Sequence, residues 1–560
     1  MSEPYPTKEV YETHGDSKPP PTYTNEGHHQ PHSFSERVRN SISVQSLDAN
    51  TVEGQIFSMN DVDPALDKKM RLVNNAIDEI GWTGMHLKLF FLNGFGYAAD
   101  SLILLLQSVT SGQAALEFAP SFHNGLTVAA YCGMLIGALF WGLSADVVGR
   151  RFAFNVSLFS CSIFAIAAGA SPNWYALGAF TALAAFGSGG NLILDTTVFL
   201  EYLPGDKQWL LTLMACWWGL APVVAAAFAW PFLSQSRWIC TSHATCTYDN
   251  NMGWRYVWYS NGALVMVLSV LRVTVIRLKE TPKFLLAKGQ DQAVVDTFQS
   301  IAAKYNRPCS LTFEQLDACG PIQSTFGKSR YGFGELLAHL RGLFQTKKLG
   351  ISTSLIWLSW TLIGRDNKAN PLNASNQNAH NNTGLAYPLF YVFLPQFLAS
   401  RGASTGQSGP YYTWRNYLIT NTVGIFGPVA AGFLCNWKLL GRRYTMVIGA
   451  LCSMAFFFAY TAVRTPEQNI AFTCMIYFFV NIYYGTLYAY TPESLPSAHR
   501  ATGNGIAVGC NRIMGLVSAF VAEYSDTSTS APIYICAVLY IVMAIVAIIM
   551  PFEPYGKRSM

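Results

Sequence analysis

Residues 87–109, 124–144, 152–170, 174–200, 208–233 and 254–276 are apolar runs. Each is long enough to cross a bilayer, since a spanning helix needs about 20 mainly apolar residues. After a charged stretch the pattern resumes, with one interrupted run within 349–398 and then 411–434, 444–463, 469–490, 502–522 and 531–551. Of the 69 Asp, Glu, Lys and Arg residues, 38 fall within 1–86 and 272–348, which leaves 31 for the other 397 positions. A soluble chain cannot bury so much apolar surface around one core. The pattern excludes a soluble enzyme, a nucleic-acid binder and a disordered scaffold. It predicts an all-α polytopic membrane protein of twelve transmembrane helices in two six-helix halves, with the lipid bilayer as its solvent. The net charge of +5 does not point to a nucleic-acid partner.

The remaining segments complete the organisation. Residues 1–64, rich in Pro, Ser, His and Glu, read as a disordered tail without a secretory signal. Leu66, Met70, Val73, Ile77 and Ile80 fall at helical spacing, so an amphipathic helix precedes the first span. The halves are 65–276 and 349–551, with a central loop at 277–348 and a tail at 552–560. Alternate connections hold Arg150, Arg151, Lys207, Lys438, Arg442, Arg443 and Arg500, against Arg237, Arg255, Arg401, Arg415 and Arg464 on the other side. With the basic central loop, this bias places both termini and that loop in the cytoplasm. Nothing resembles an organelle address, so the plasma membrane is expected. The twelve Cys include no C-x-x-C pair, and no metal or cofactor is expected. Only Cys240 and Cys246 share a polar loop, where an external position would favour a disulfide.

The two halves repeat. GLSADVVGRRF (142–152) and GFLCNWKLLGRRY (432–444) each follow the second span of their half. Glu201, in Glu-Tyr-Leu-Pro, lies 52 residues after Gly149, and Glu493, in Glu-Ser-Leu-Pro, lies 52 after Gly441. Parallel repeats of this kind build transporters whose binding site lies where the halves meet.

GLSADVVGRRF resembles the loop signature of the major facilitator superfamily. Glu-Thr-Pro-Lys-Phe-Leu-Leu-Ala-Lys-Gly (280–289) is similar to the motif that sugar porters and organic-ion transporters carry after span six. The stretches 92–109, 187–204 and 491–515 look most like the fungal branch related to synaptic-vesicle transporter-like proteins. The resemblance implies a monomeric secondary transporter, not an enzyme, that moves a small organic solute by alternating access; coupling to protons is expected from Asp100, below. The chain departs from hexose porters. Leu183 and Ala184 stand near their span-four Arg, the paired Gln of span seven is missing, and Lys283 replaces an Arg. The alternative is a nutrient sensor on the same fold. The long N-terminal segment favours it, and the short tail after residue 551 speaks against it.

Charges inside spans are costly and mark solute or ion paths. Asp100 lies about 18 Å into span one at 1.5 Å per residue. It reads as a proton-coupling carboxylate, as a counter-charge to a cationic solute, or as a structural Asp paired to a neighbouring helix. Asn191 and Asp195 share a helix face, and read either as cavity lining or as helix-to-helix hydrogen bonding. Arg512 needs a carboxylate or carbonyl partner, or else meets an anionic solute. The resemblance assigns Gly142, Asp146, Gly149, Arg150 and Arg151 to a cytoplasmic gate, with Glu201, Glu280, Arg442, Arg443, Glu493 and Arg500 in the same network. Such a contact, made in one conformation and released in the other, is what alternating access requires. Tyr483, Tyr484, Tyr488 and Tyr490 cluster in span ten, as cavity lining or as packing. Gly187, Gly189 and Gly190 allow close helix approach, and no P-loop is present.

Residues 365–383, RDNKANPLNASNQNAHNNT, interrupt span seven. The central loop and the loop holding Arg442 share a side, so 349–398 must supply a single crossing. Without the insert, 349–364 joins 385–398 into one apolar stretch. With it, polar backbone falls where no water reaches. Asn373 and Asn381 match glycosylation acceptors, so an external loop competes with a retained intron as the explanation. The intron is the favoured reading: nineteen codons preserve the frame, and Gly364 and Gly384 both have codons beginning GG.

Overall fold

The computed structural model describes residues 64–147, 149–276, 279–322, 340–362, 410–463, 465–496, 499–524 and 531–555, which contain helices and no strand. The tail before residue 64, the insert at 365–383 and the second piece of its run lie outside the described residues. Helix α1 is Pro64–Ile80, followed by α2 (Gly84–Phe118), α3 (Gly125–Val147), α4 (Arg150–Gly169), α5 (Trp174–Tyr202), α6 (Trp209–Met214), α7 (Cys216–Leu233) and α8 (Gly253–Leu271). Helix α8 continues into a π-helical turn, Arg272–Ile276. Three short helices follow, α9 (Pro282–Ala287), α10 (Asp291–Tyr305) and α11 (Phe313–Asp317). The second series is α12 (Lys347–Leu362), α13 (Pro410–Cys435), α14 (Gly441–Tyr460), α15 (Pro466–Glu493), α16 (Arg500–Tyr524) and α17 (Ala531–Ile549).

Among the described residues nine segments are long and apolar enough to cross a membrane, and Tyr534–Ile549 forms a shorter apolar helix. The predicted count of twelve also needs α12, which has 16 residues, together with α16 and α17. Local signals set several helix starts. Asn173 accepts a hydrogen bond from the Ala176 amide at 2.8 Å ahead of α5. Thr465 and Gln468 form a reciprocal capping box ahead of α15, with Pro466 in the first turn.

Packing repeats the sequence repeat. In the first half α3 and α4 both lie on α5, and α4 also packs on α8. In the second half α13 and α14 both lie on α15, and α14 packs on α17. Helix α2 meets α7 and α8 as α12 meets α16 and α17. The halves join through α3 against α16 and α7 against α13, contacts that exchange under the same twofold relation. Lipid tails are as apolar as leucine, so small residues and hydrogen bonds hold such helices together. At Gly189 a Cβ would lie 2.6 Å from the Met134 carbonyl, so α5 and α3 touch backbone to backbone.

Helix α1 forms a satellite core outside the spans. Its Leu66, Met70, Val73, Ile77 and Ile80 are buried against Leu286, Val294, Val295 and Phe298 of α9 and α10. Burying an aliphatic side chain is worth about 1.5–3 kcal/mol, which explains why a strongly amphipathic helix finds this partner. Lys69 bridges to Asp291 at 2.5 Å across the same contact.

Candidate functional site: a buried ion pair between the halves

Asp100 of α2 and Arg512 of α16 form an ion pair, 412 residues apart and both buried. Asp100 is therefore not a lone carboxylate, and the partner that Arg512 needs is Asp100. The indole N–H of Trp218 (α7) donates to Asp100 Oδ2 at 3.5 Å. Aromatic rings from both halves enclose the pair. Tyr97 meets Tyr488 edge-on at 5.6 Å, and Trp360 of α12 meets Tyr488 at 4.8 Å. Trp218 stacks on Tyr484 at 6.0 Å. Hydrogen bonds hold one of these rings and the backbone of another. Trp360 donates to Thr491 Oγ1 at 2.9 Å, and Ser101 donates to the Trp218 carbonyl at 2.8 Å. Asp100 Oδ1 and Arg512 Nε have no hydrogen-bond partner among the described residues. Buried polar atoms are rarely left so, and here two adjoin one ion pair at the junction of the halves.

Asn191 and Asp195 take the hydrogen-bonding alternative, within the first half. Arg272, at the end of α8, donates to Asp195 at 2.8 and 3.0 Å and to the Phe154 carbonyl at 2.9 Å. It also donates to Asn191 at 3.2 Å, while Ser157 donates to the same oxygen at 2.8 Å. This cluster ties α4, α5 and α8 together, and its hydrogen bonds engage both candidate residues. Sequence reasoning missed Arg272, although a charge inside the apolar run 254–276 was its signal.

The residues that the resemblance assigns to a cytoplasmic gate gather at one end of the bundle. Arg150 pairs with Glu201, and Arg500 approaches Glu201 at 4.0 Å from the other half. Arg442 grips Glu493 through two bonds of 3.0 and 3.1 Å. Glu280 accepts from the Arg150 amide at 2.8 Å and from the Arg151 amide at 3.3 Å, so it caps the start of α4. Glu553 does the same for α14, accepting from Arg442 at 2.9 Å and Arg443 at 3.1 Å. Glu553 went unnoticed in the sequence, though Glu-Pro follows the last span as Glu-Thr-Pro follows the sixth. The Arg443 guanidinium donates to the carbonyls of Ala547 and Ile548, and the Arg151 side chain is exposed. Gly142 lets α3 approach α16, where a Cβ would lie 3.1 Å from the Ala501 carbonyl. Asp146 falls in the last turn of α3, and its side chain lies outside the described residues. Burial, with the Arg500 and Arg150 guanidiniums alongside, holds the Lys283 ammonium well below its usual pKa.

Gly149 and Gly441 have φ of +119° and +56°, and a Cβ at Gly441 would lie 2.7 Å from the Glu553 carboxyl. Gly441→Ala should therefore lower thermal stability by about 1–3 kcal/mol through backbone strain and collision with Glu553. Thermal unfolding in detergent measures it. Adding Glu553→Ala should recover part of the loss, and an unchanged unfolding temperature in the single variant would contradict the geometry.

At the opposite end, the disulfide of Cys240 and Cys246 closes the loop before α8. Arg255 holds Glu117 through bonds of 2.7 and 2.8 Å at the same end.

A family model described as Major Facilitator Superfamily matches residues 89–519. The chain belongs to this superfamily. The transporter is 35% identical over 514 residues to MFS siderochrome iron transporter 1 of Ceriporiopsis subvermispora (strain B), covering 90% of this chain and 94% of the relative. It is 24% identical over 511 residues to the synaptic vesicle 2-related protein of Rattus norvegicus, covering 87% and 82%. It is 24% identical over 448 residues to the niacin transporter NiaP of Acinetobacter baylyi (strain ATCC 33305 / BD413 / ADP1), covering 78% and 87%. A structure of the proton:xylose symporter XylE superposes with a TM-score of 0.60 at 15% identity, covering 85% of this chain and 97% of that one. That likeness is one of fold. The transporter is an integral, multi-pass membrane protein that moves a small solute, with relatives in both the fungal and the synaptic-vesicle branches.

Proposed function

We propose that this transporter is a proton-coupled symporter of a small aromatic carboxylate. The observation that carries the reading is the Asp100–Arg512 pair, with one unsatisfied atom on each partner, inside a ring of Tyr and Trp from both halves. An uncompensated charge in such a place costs about 3–5 kcal/mol. Two states avoid that cost. In the empty site Asp100 is ionised and neutralises Arg512. In the loaded site Asp100 carries a proton and the solute carboxylate takes its place on Arg512, while the aromatic faces hold the solute ring. Proton and anion thus enter together because either alone leaves a buried charge. The end bearing Gly149 and Gly441 faces the cytoplasm in this reading, as the Lys and Arg bias predicts, and the Glu201 contacts close it. The plasma membrane is the proposed site, with the transporter acting as a monomer.

The niacin transporter among the relatives supports an aromatic carboxylate. A second reading, a ferric siderophore as solute, is favoured by the 35% identical siderochrome iron transporter. Proteoliposomes separate them. Labelled nicotinate should accumulate under an inward proton gradient, and one proton with one monovalent anion moves no net charge. Clamping the membrane potential at different values should therefore leave the rate unchanged. Uptake of a ferric siderophore without that of any aromatic carboxylate would replace the first reading with the second. A rate that follows the membrane potential would remove the one-to-one coupling of proton and anion.

A further inference from the structure

A cavity of about 130 Å³ opens between the first turns of α2, the π-helical turn after α8 and the outer face of α10. Lys88, Lys279 and Lys304 line it together with the hydroxyls of Thr297, Ser300 and Tyr305, and no lining residue is acidic. Lys279 donates to Ser300 Oγ at 2.9 Å, and Lys304 lies over the Tyr305 ring. None of the three lysines has a carboxylate partner among the described residues. Three ammonium groups around one cavity repel one another unless an anion joins them. The wall is continuous with a strip of outward apolar side chains. Leu87, Phe91 and Val273 are each about half exposed, on helices that span the bilayer. The cavity therefore sits where lipid-facing surface gives way to the water-exposed helix α10, at the level of phospholipid headgroups.

We propose that this cavity binds the headgroup of an anionic phospholipid bearing a phosphomonoester. Its acyl chains would run along Leu87, Phe91 and Val273. Lysine suits phosphate as a point charge, and basic pockets beside spans at this level fit such headgroups. A soluble phosphorylated solute would offer the same charge, but nothing in it would use the apolar strip. The bound lipid would tie α10, and with it the α1 core, to α2 and α8. The proposal does not depend on which solute is carried.

The test uses the full-length protein in nanodiscs of phosphatidylcholine, with or without phosphatidylinositol 4-phosphate, and reads bound lipid by native mass spectrometry. The Lys88→Gln, Lys279→Gln, Lys304→Gln variant should lose lipid affinity by about a hundredfold. A control variant with Lys288→Gln, Lys347→Gln and Lys348→Gln carries the same net charge and should keep it. Both variants should keep the wild-type unfolding temperature in phosphatidylcholine alone, which shows that both are folded. An equal loss in the two variants would mean diffuse surface attraction and would overturn the site. Inositol phosphate binding as tightly as the lipid would overturn the lipid as occupant.

Discussion

Asp100→Asn should abolish uphill accumulation of solute under a proton gradient while solute exchange across the membrane continues. Asparagine imitates the protonated carboxyl and leaves Arg512 as a buried cation without a counter-charge when the site is empty. That state costs about 3–5 kcal/mol, so return of the empty carrier should slow by about 10²–10⁴-fold. Exchange avoids this state, because the site then changes face only when an anion occupies Arg512. Exchange should also lose its pH dependence, since asparagine cannot carry the proton that accompanies the solute in this reading. Arg512→Gln should lose both exchange and accumulation, because the anion then has no cation to meet. Flux measurements in proteoliposomes, with matched protein insertion, read all three. An Asp100→Asn protein that still accumulates solute uphill with the wild-type pH profile would sink the coupling proposal.

Glu201→Gln should reduce turnover by about a hundredfold and leave solute affinity within a few-fold of wild type. Glu201 is where Arg150 from its own half and Arg500 from the other half converge. Its neutralisation removes the carboxylate on which both guanidiniums converge and destabilises one closed end by several kcal/mol. The Asp100–Arg512 pair proposed to bind solute lies elsewhere and is untouched. The repeat supplies an internal control. Glu493 bonds to Arg442, and both belong to the second half, so its loss should lower stability in both conformations and shift their balance less. The second half carries Arg500 seven residues after Glu493, whereas Gln208 stands seven after Glu201. Among the described residues, the arginine that crosses between the halves at this pair of related glutamates is therefore Arg500, onto Glu201. Equal turnover defects in Glu201→Gln and Glu493→Gln would contradict this asymmetry, as would wild-type turnover in the first.

Much of this architecture is legible in the residues alone. Runs of apolar side chains declare the spans, because backbone in lipid must bond to itself and only helices do so within one segment. The periodic Leu66, Met70, Val73, Ile77 and Ile80 announced α1, because one face of that helix must leave water. Equal spacing of Gly149–Glu201 and Gly441–Glu493 exposed the repeat, and the costly charges at 100, 195 and 512 could be picked out one by one. Which charge meets which could not. Asp100 finds Arg512 across 412 residues and Asp195 finds Arg272 across 77. Glu553 caps α14 although its distance from Gly441 differs from that of Glu280 from Gly149. In water, hydrophobic periodicity tells which face of a helix turns inward. In a bilayer the lipid is as apolar as the protein interior, so the pattern announces a span without orienting it. Only the packing of the two halves decides which helix faces meet, and with them which buried charges become a pair.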